Sequence, residues 1–143
     1  APGFIFTTSM MPAIAAASSK SIEIVKTLDE DRKQIFLKAE YIKRQLSACG
    51  IPFIDSQSHI IPVLCFDEER VKKYSRRLLD DFNIYIQPIF YPTVPKGSAR
   101  LRITVTPKHS INDIDSLVEA LKVTIKKNQE KSRDSVLQPS MNF

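Results

Sequence analysis

Arg102 is the residue whose type and setting best suit small-molecule chemistry. It lies in the alternating run of residues 100–104, where Leu101 and Ile103 would face a core and Arg102 would face the other way. A planar guanidinium on that side can hold a carboxylate through two parallel hydrogen bonds. The pattern alone favours a solvent-exposed strand arginine over a carboxylate-binding one, and both interpretations stay open at this point.

The loop before this strand, residues 91–97, contains Pro92 and Pro95. Proline fixes one backbone dihedral angle, so the loop is expected to be stiff. A stiff loop leading to a fixed arginine is what recognition of a small anion needs.

A second group with chemical potential is the hydroxyl cluster Thr7, Thr8 and Ser9, which precedes an expected helix. Helix N-termini present unpaired amide hydrogens and a positive dipole end, so hydroxyls there can help to bind a phosphate. An ordinary helix cap explains the same residues, and it is the simpler interpretation.

The sequence gives little support for a metal site, a catalytic triad, redox cysteines or a glycine-rich phosphate loop. His59 and His109 match no metal site or catalytic triad, and Cys49 and Cys65 lack metal or redox spacing. Three glycines in the whole chain exclude most phosphate-binding glycine loops. We therefore expect no metal, and buried thiols rather than reactive ones.

The elements that must position these residues follow from hydrophobic periodicity. The order of predicted elements is α-α-β-α-β-β-α, which indicates an α+β fold with a small, mainly antiparallel sheet and helices packed on one face. The first helix carries small residues on one face, so we expect it to be well buried.

The first expected helix follows a cap at Ser9, with Pro12 in its first turn, and extends to about residue 25; the second is opened by the acidic residues 29–31 and ends at residues 49–50. A third helix is expected over 67–82, and a fourth extends to about residue 127 from residues 110–113, which have the spacing of a capping box with Asp in place of the usual Glu. Strands are expected at 60–66, 83–89 and 100–105, after an extended segment at 3–8.

Composition sets the class of protein. The chain has 143 residues, 43% hydrophobic and 26% charged, and a net charge of +5, which is an ordinary globular balance. Its densest basic segment, residues 70–77, has acidic neighbours and helical spacing, so a solvated helix face is expected. A free-standing RNA-binding α+β module remains a remote alternative, because Arg100, Arg102 and Thr104 include no aromatic side chain for base stacking.

Five blocks, in this order and spacing, resemble the C-terminal third of 5-aminolevulinate synthase, an α-oxoamine synthase of the fold-type-I pyridoxal-phosphate (PLP) enzymes. The resemblance extends from Ala1 to about Lys127. The blocks are GFIFTTS (3–9), SHIIPV (58–63), IYIQPI (84–89), YPTVP (91–95) and RLRIT (100–104).

The resemblance implies an enzyme that joins glycine to succinyl-CoA and releases coenzyme A and carbon dioxide, in the first step of heme and tetrapyrrole biosynthesis. It implies a homodimer with PLP as cofactor, without nucleic acid or membrane. Arg102 matches the arginine that binds the glycine carboxylate, and Thr93 matches a residue lining the acyl-CoA pocket. Thr7 and Thr8 match residues that reach the cofactor phosphate of the other subunit.

The sequence also departs from the pattern of the synthases. Phe90 stands where they usually have Asn, and residues 94–100 lack their usual Arg and Glu; both features resemble glycine C-acetyltransferase, and Val105 replaces a usual Pro. The alternative is therefore a sister enzyme that uses another acyl-CoA. The remaining blocks favour the synthase.

The resemblance also suggests a domain organisation. Residues 1–30 would be the end of the large domain with a connecting helix, 31–127 the C-terminal small domain, and 128–143 a mobile tail. The Schiff-base lysine of the family lies upstream of the FIFTT block, so no catalytic residue is expected in this chain, and we expect the chain alone to be inactive. The family's compartment is the mitochondrial matrix or the bacterial cytoplasm.

Overall fold

The computed structural model describes residues 10–134, with side chains through residue 125. Helices and strands follow the predicted order, and no helix in this described part of the chain is both long and apolar enough to cross a membrane. The elements are α1 (Pro12–Lys26), α2 (Asp29–Ala48), β1 (Ile60–Phe66), α3 (Glu68–Phe82), β2 (Gln87–Ile89), β3 (Ala99–Thr104) and α4 (Ile111–Asp134).

The three strands form one antiparallel sheet in the order β1-β3-β2. In the register, Leu101 lies opposite Val63 of β1 and Pro88 of β2. A shift in the pairing occurs between Leu64 and Phe66, where Phe66 has a positive φ of 65°. The strand that carries Arg102 is therefore the central one, with a neighbour on each side.

One face of the sheet is the core face. On β3 every second residue is buried, and Leu101 is fully buried. Buried residues of α2, α3 and α4 join this face in one hydrophobic cluster, as expected for helices on one side of a sheet. The cluster includes Ala39, Ile42 and Leu46 of α2, Val71, Tyr74 and Leu78 of α3, and Ile114, Leu121 and Ile125 of α4.

The predicted strand at residues 83–89 is shorter than expected, and only Gln87–Ile89 is strand. Asn83 ends α3 in the left-handed conformation, with φ 55°. The Ile84 amide then donates to the Leu78 carbonyl at 3.0 Å, and the Ile86 carbonyl accepts from Ser75 Oγ at 2.7 Å. These backbone groups bond to α3 and not to β3, so the segment 83–86 does not extend the sheet.

The predicted capping box of α4 is confirmed, with Asp in place of the usual Glu. The Ser110 amide donates to Asp113 Oδ2 at 2.7 Å, and the Asp113 amide donates to Ser110 Oγ at 3.1 Å. The bonds from Ser110 lower the pKa of the Asp113 carboxyl.

At its C-terminal end α4 continues through residues 128–134, which we assigned to the tail. These residues include good helix formers and no Gly or Pro.

The chain divides into two compact units, residues 1–33 and 34–143. In the first unit, α1 begins with Pro12 at its first turn, as predicted, but its N-cap is Met11, without a side-chain hydrogen bond. None of its residues is buried, so the expected burial of this helix is not found. The extended segment 3–8 and the predicted cap Ser9 lie outside the described residues.

Candidate substrate-binding site

Arg102 lies on the outer face of the sheet, as the alternation predicts. Its side chain is exposed, whereas those of Leu101 and Ile103 are buried. The register places it directly opposite Pro62 on β1 and Gln87 on β2. Within residues 10–125 no side chain forms a hydrogen bond or ion pair with the Arg102 guanidinium. Its five N–H donors are thus available to an anion, as far as the described residues are concerned.

Arg100, two residues earlier on the same face, is in a different state. It is half buried, and its Nε donates to the Ser98 carbonyl at 2.9 Å. One edge of this guanidinium is therefore held by its own backbone. Of the two arginines, Arg102 is the better candidate for a bidentate contact with a carboxylate.

The loop between β2 and β3 consists of turns, as its composition predicts. The Thr93 amide donates to the Phe90 carbonyl at 3.0 Å, and the Ser98 amide donates to the Pro95 carbonyl at 3.1 Å. Gly97 has φ +80°, a conformation that favours glycine. Thr93 itself is exposed, so its hydroxyl can reach a molecule bound outside the loop.

Two cations lie over the aromatic rings of this loop. Lys72 Nζ is 4.8 Å from the centroid of the Phe90 ring, and Lys96 Nζ is 5.4 Å from that of Tyr91. Contacts of this kind contribute about 0.5–1 kcal/mol at exposed sites. The first of them connects the start of the loop to α3.

A cavity of about 310 Å³ lies beside the C-terminal half of β3. Its walls combine apolar side chains of the core with polar groups, among them Arg102, Thr104, His109 and Asp113. Tyr85 also lines it. The segment 83–86 contributes to its walls, so a small molecule in the cavity would lie beside Arg102.

Tyr85 and Gln87 form a polar pair that our reading of the sequence did not single out. The Tyr85 hydroxyl donates to Gln87 Oε1 at 2.6 Å, and Gln87 Nε2 donates to the Pro88 carbonyl at 3.2 Å. The alternation of residues 84–89 could have placed Tyr85 and Gln87 on one side, but only the sheet register brings Gln87 opposite Arg102.

The two histidines have structural roles. The His59 ring makes an edge-on contact with Phe36, with 6.4 Å between centroids, and His109 Nδ1 accepts from the Thr106 amide at 3.2 Å. In the described part of the chain no cluster of His, Cys, Asp or Glu could hold a metal ion. Thr7 and Thr8, which we assigned to the cofactor phosphate, lie outside the described residues.

Both cysteines are free thiols, and we predict that they differ in reactivity. Burial raises the pKa of the Cys65 thiol to about 12, whereas Cys49 is only half buried. Because the thiolate is the reactive form, Cys65 should be alkylated at pH 8 only as fast as the chain unfolds, and Cys49 sooner. Maleimide labelling followed by mass spectrometry, with and without urea, measures both rates.

A Cys49→Ser variant provides the control, because Cys65 is then the sole thiol of the chain. Its labelling should be slow in buffer and fast in urea. Labelling in buffer at the rate seen in urea would contradict the burial of Cys65.

Comparison with known proteins places this geometry in a family. The family model for aminotransferase class I and II matches residues 1–121. The 5-aminolevulinate synthase of Rhodobacter capsulatus is 46% identical over 125 residues, 85% of this chain and 30% of that protein. The mitochondrial 5-aminolevulinate synthase of Neurospora crassa is 48% identical over 121 residues, 85% of this chain and 19% of that protein.

Solved structures give the same result for the fold. A serine palmitoyltransferase from S. paucimobilis matches with a TM-score of 0.77 and 24% identity, over 85% of this chain and 31% of that chain. This match confirms the predicted α+β fold. The chain spans about 30% of the length of the bacterial relatives it matches. Since the family model covers most of its residues, the chain belongs to the aminotransferase class I and II family.

Proposed function

We propose that this chain is the C-terminal part of a PLP-dependent 5-aminolevulinate synthase. The complete enzyme would condense glycine with succinyl-CoA to 5-aminolevulinate, coenzyme A and carbon dioxide. The observation that carries the proposal is the exposed Arg102 on the central strand, without a partner among residues 10–125, in a chain 46% identical to a synthase of that name.

Arg102 would bind the carboxylate of glycine. The substrate is too small for extensive apolar contacts, so most of its affinity must come from its charged groups. A guanidinium fixed on a strand meets a carboxylate with two parallel N–H donors, which orients the amino acid as well as binding it. Thr93, exposed in the loop before β3, would line the pocket for the acyl-CoA.

The cofactor would be held mainly by other parts of the protein. Thr7 and Thr8, which lie outside the described residues, are proposed to contact the cofactor phosphate across a homodimer interface. PLP, when bound, supplies the electron sink that stabilises a carbanion derived from glycine. The described residues contribute to this chemistry by binding and orienting the substrates.

The proposed organisation has residues 1–30 as the end of the large domain with a connecting helix and 31–127 as the small domain. Residues 128–143, proposed as a mobile tail, begin with the last turns of α4, which extends to Asp134. The division of the chain between residues 33 and 34 supports the first boundary. The compartment would be the mitochondrial matrix in a eukaryote, as for the Neurospora crassa relative, and the cytoplasm in a bacterium.

The test is a product assay with the full-length protein that carries this chain. We expect 5-aminolevulinate from glycine, succinyl-CoA and PLP, and the activity should be lost when PLP is removed by dialysis and return when it is added back. The 143-residue chain alone is the control; with about 30% of the length of its relatives, it should form no product. Absence of 5-aminolevulinate with the full-length protein would refute the proposal.

Phe90 favours a second candidate, an enzyme of the same kind that uses acetyl-CoA. Its aromatic ring is half buried beneath Lys72, at the start of the loop that carries Thr93. A panel of acyl-CoAs in the same assay separates the two candidates. Preference for acetyl-CoA, with 2-amino-3-ketobutyrate as the product, would establish the second.

A further inference from the structure

Among the residues that the structure describes, Gln87 is the only polar one directly opposite Arg102 in the sheet. On β1 the opposite residue is Pro62, whose ring offers no hydrogen-bonding group, and on β2 it is Gln87. Side chains of directly opposed residues lie on the same face, with Cβ atoms about 4.5–5.5 Å apart. Of the two residues opposite Arg102, the one at position 87 therefore places hydrogen-bonding groups next to its stem.

The polar atoms of Gln87 are already engaged. Its oxygen accepts a hydrogen bond of 2.6 Å from the Tyr85 hydroxyl, and its nitrogen donates to the Pro88 carbonyl at 3.2 Å. Tyr85 is 66% exposed, so its ring contributes little to the core, and its hydroxyl is the part with a structural partner. The pair thus directs the Gln87 oxygen towards Tyr85.

We propose that Tyr85 and Gln87 are a positioning pair for Arg102, which keeps its guanidinium available for the carboxylate of the substrate. The proposal rests on the proposed function, because it assumes that Arg102 binds that carboxylate. It adds the assignment of two residues that act through the arginine and do not themselves need to touch the substrate.

The pair matters because an acceptor at position 87 would compete with the substrate carboxylate for the N–H donors of Arg102. A bidentate contact uses two N–H groups on one edge of the guanidinium. An amide oxygen left without its partner at position 87 would accept one of these N–H groups, and a carboxylate there would take two. A neutral amide whose oxygen is bonded to Tyr85 leaves the guanidinium to the substrate.

The test uses three variants of the full-length protein and measures KM for glycine and kcat separately. Gln87→Glu places a competing carboxylate beside Arg102 and should raise KM about tenfold or more, with kcat changed less than about twofold. Tyr85→Phe releases the Gln87 oxygen and should raise KM about two- to fivefold. Gln87→Met keeps the length of the side chain without a competing acceptor, and it is the background in which Tyr85→Phe is repeated.

Combining the substitutions separates positioning from a general structural effect. In the Gln87→Met background, Tyr85→Phe should have no further effect on KM, because there is no amide oxygen left to release. Equal effects of Tyr85→Phe in both backgrounds would overturn the pairing.

A second measurement does not depend on catalysis. In the 143-residue chain with Gln87→Glu, the introduced carboxyl should titrate below the ordinary glutamate pKa of about 4.3 in carbon-13 NMR. Adding Arg102→Ala should move the pKa back towards that value. A titration unaffected by the arginine would show that the two side chains do not interact, and would overturn the proposal.

The outcomes distinguish this inference from the proposed function. If Arg102→Ala raises KM for glycine but Gln87→Glu does not, the positioning role is wrong and the carboxylate-binding role stands. If Arg102→Ala leaves KM unchanged, the carboxylate-binding role is wrong, and the positioning role falls with it. Thermal unfolding of each variant checks that the fold is retained.

Discussion

Arg102→Ala in the full-length protein is expected to raise KM for glycine about 30- to 150-fold, with a smaller effect on the KM for the acyl-CoA. Losing a bidentate contact between charged groups costs about 2–3 kcal/mol, and each 1.4 kcal/mol corresponds to a factor of ten. The effect should be nearly specific for glycine, because the guanidinium is assigned to its carboxylate. Steady-state kinetics with each substrate varied in turn measures it.

Two further variants test whether the effect depends on the guanidinium of Arg102. Arg102→Lys keeps the positive charge but loses the planar fork, so its KM should lie between those of the original protein and Arg102→Ala. Arg76→Ala removes another exposed arginine, on α3, and is the matched control. Its KM for glycine should stay within about twofold. Equal effects of Arg102→Ala and Arg76→Ala would contradict the assignment.

Leu101→Ala is expected to destabilise the 143-residue chain by about 2–5 kcal/mol, the usual cost of a large cavity in a well-packed core. Leu101 is fully buried on the central strand, opposite Val63 and Pro88. Because it has strands on both sides and helices over the core face, the surrounding structure cannot easily close the cavity. Urea denaturation followed by circular dichroism gives the free energy of unfolding.

Leu79→Ala is the matched control for this prediction. It removes the same atoms from α3, but Leu79 is 45% exposed, so less apolar surface returns to water and no closed cavity forms. We expect a loss of about 1 kcal/mol or less. A loss for Leu101→Ala no larger than this would show that the sheet is not the centre of the core.

The sequence predicted the strand that carries the candidate site and the side it faces. Strict alternation over residues 99–104 determines which residues enter the core, and the structure confirms it: Leu101 and Ile103 are buried while Arg102 is exposed. Alternation is a reliable signal here because a shift of one residue would expose the apolar side chains and bury the arginine.

The neighbours of Arg102 could not be predicted in this way. They depend on strand order and register, which bring residues 62 and 87 to the same place as residue 102. Nothing local in the sequence specifies that pairing. The short length of β2 was missed for a similar reason, because the left-handed conformation of Asn83 and the bonds of residues 84 and 86 to α3 are tertiary features.

The burial of Lys43 is another tertiary feature that could not be predicted from the sequence. Its side chain is only 8% exposed, and its ammonium group contacts Glu40, Asp55 and the Ser56 carbonyl. The hydrogen bond with Glu40 is the largest of the interactions that raise its pKa. A lysine on an amphipathic helix is ordinarily expected in solvent. Here Glu40, on the preceding turn of α2, and the loop that follows α2 provide the partners that allow its burial.

The central position of β3 lowers the conformational entropy that binding at Arg102 would cost. Arg102 has a strand on each side, so the backbone beneath its guanidinium is immobilised before any molecule arrives. Amide groups in such a strand belong to the part of a protein whose hydrogen exchange is slowest. Binding would then have to order only the long side chain, and little conformational entropy would be lost from the main chain on association.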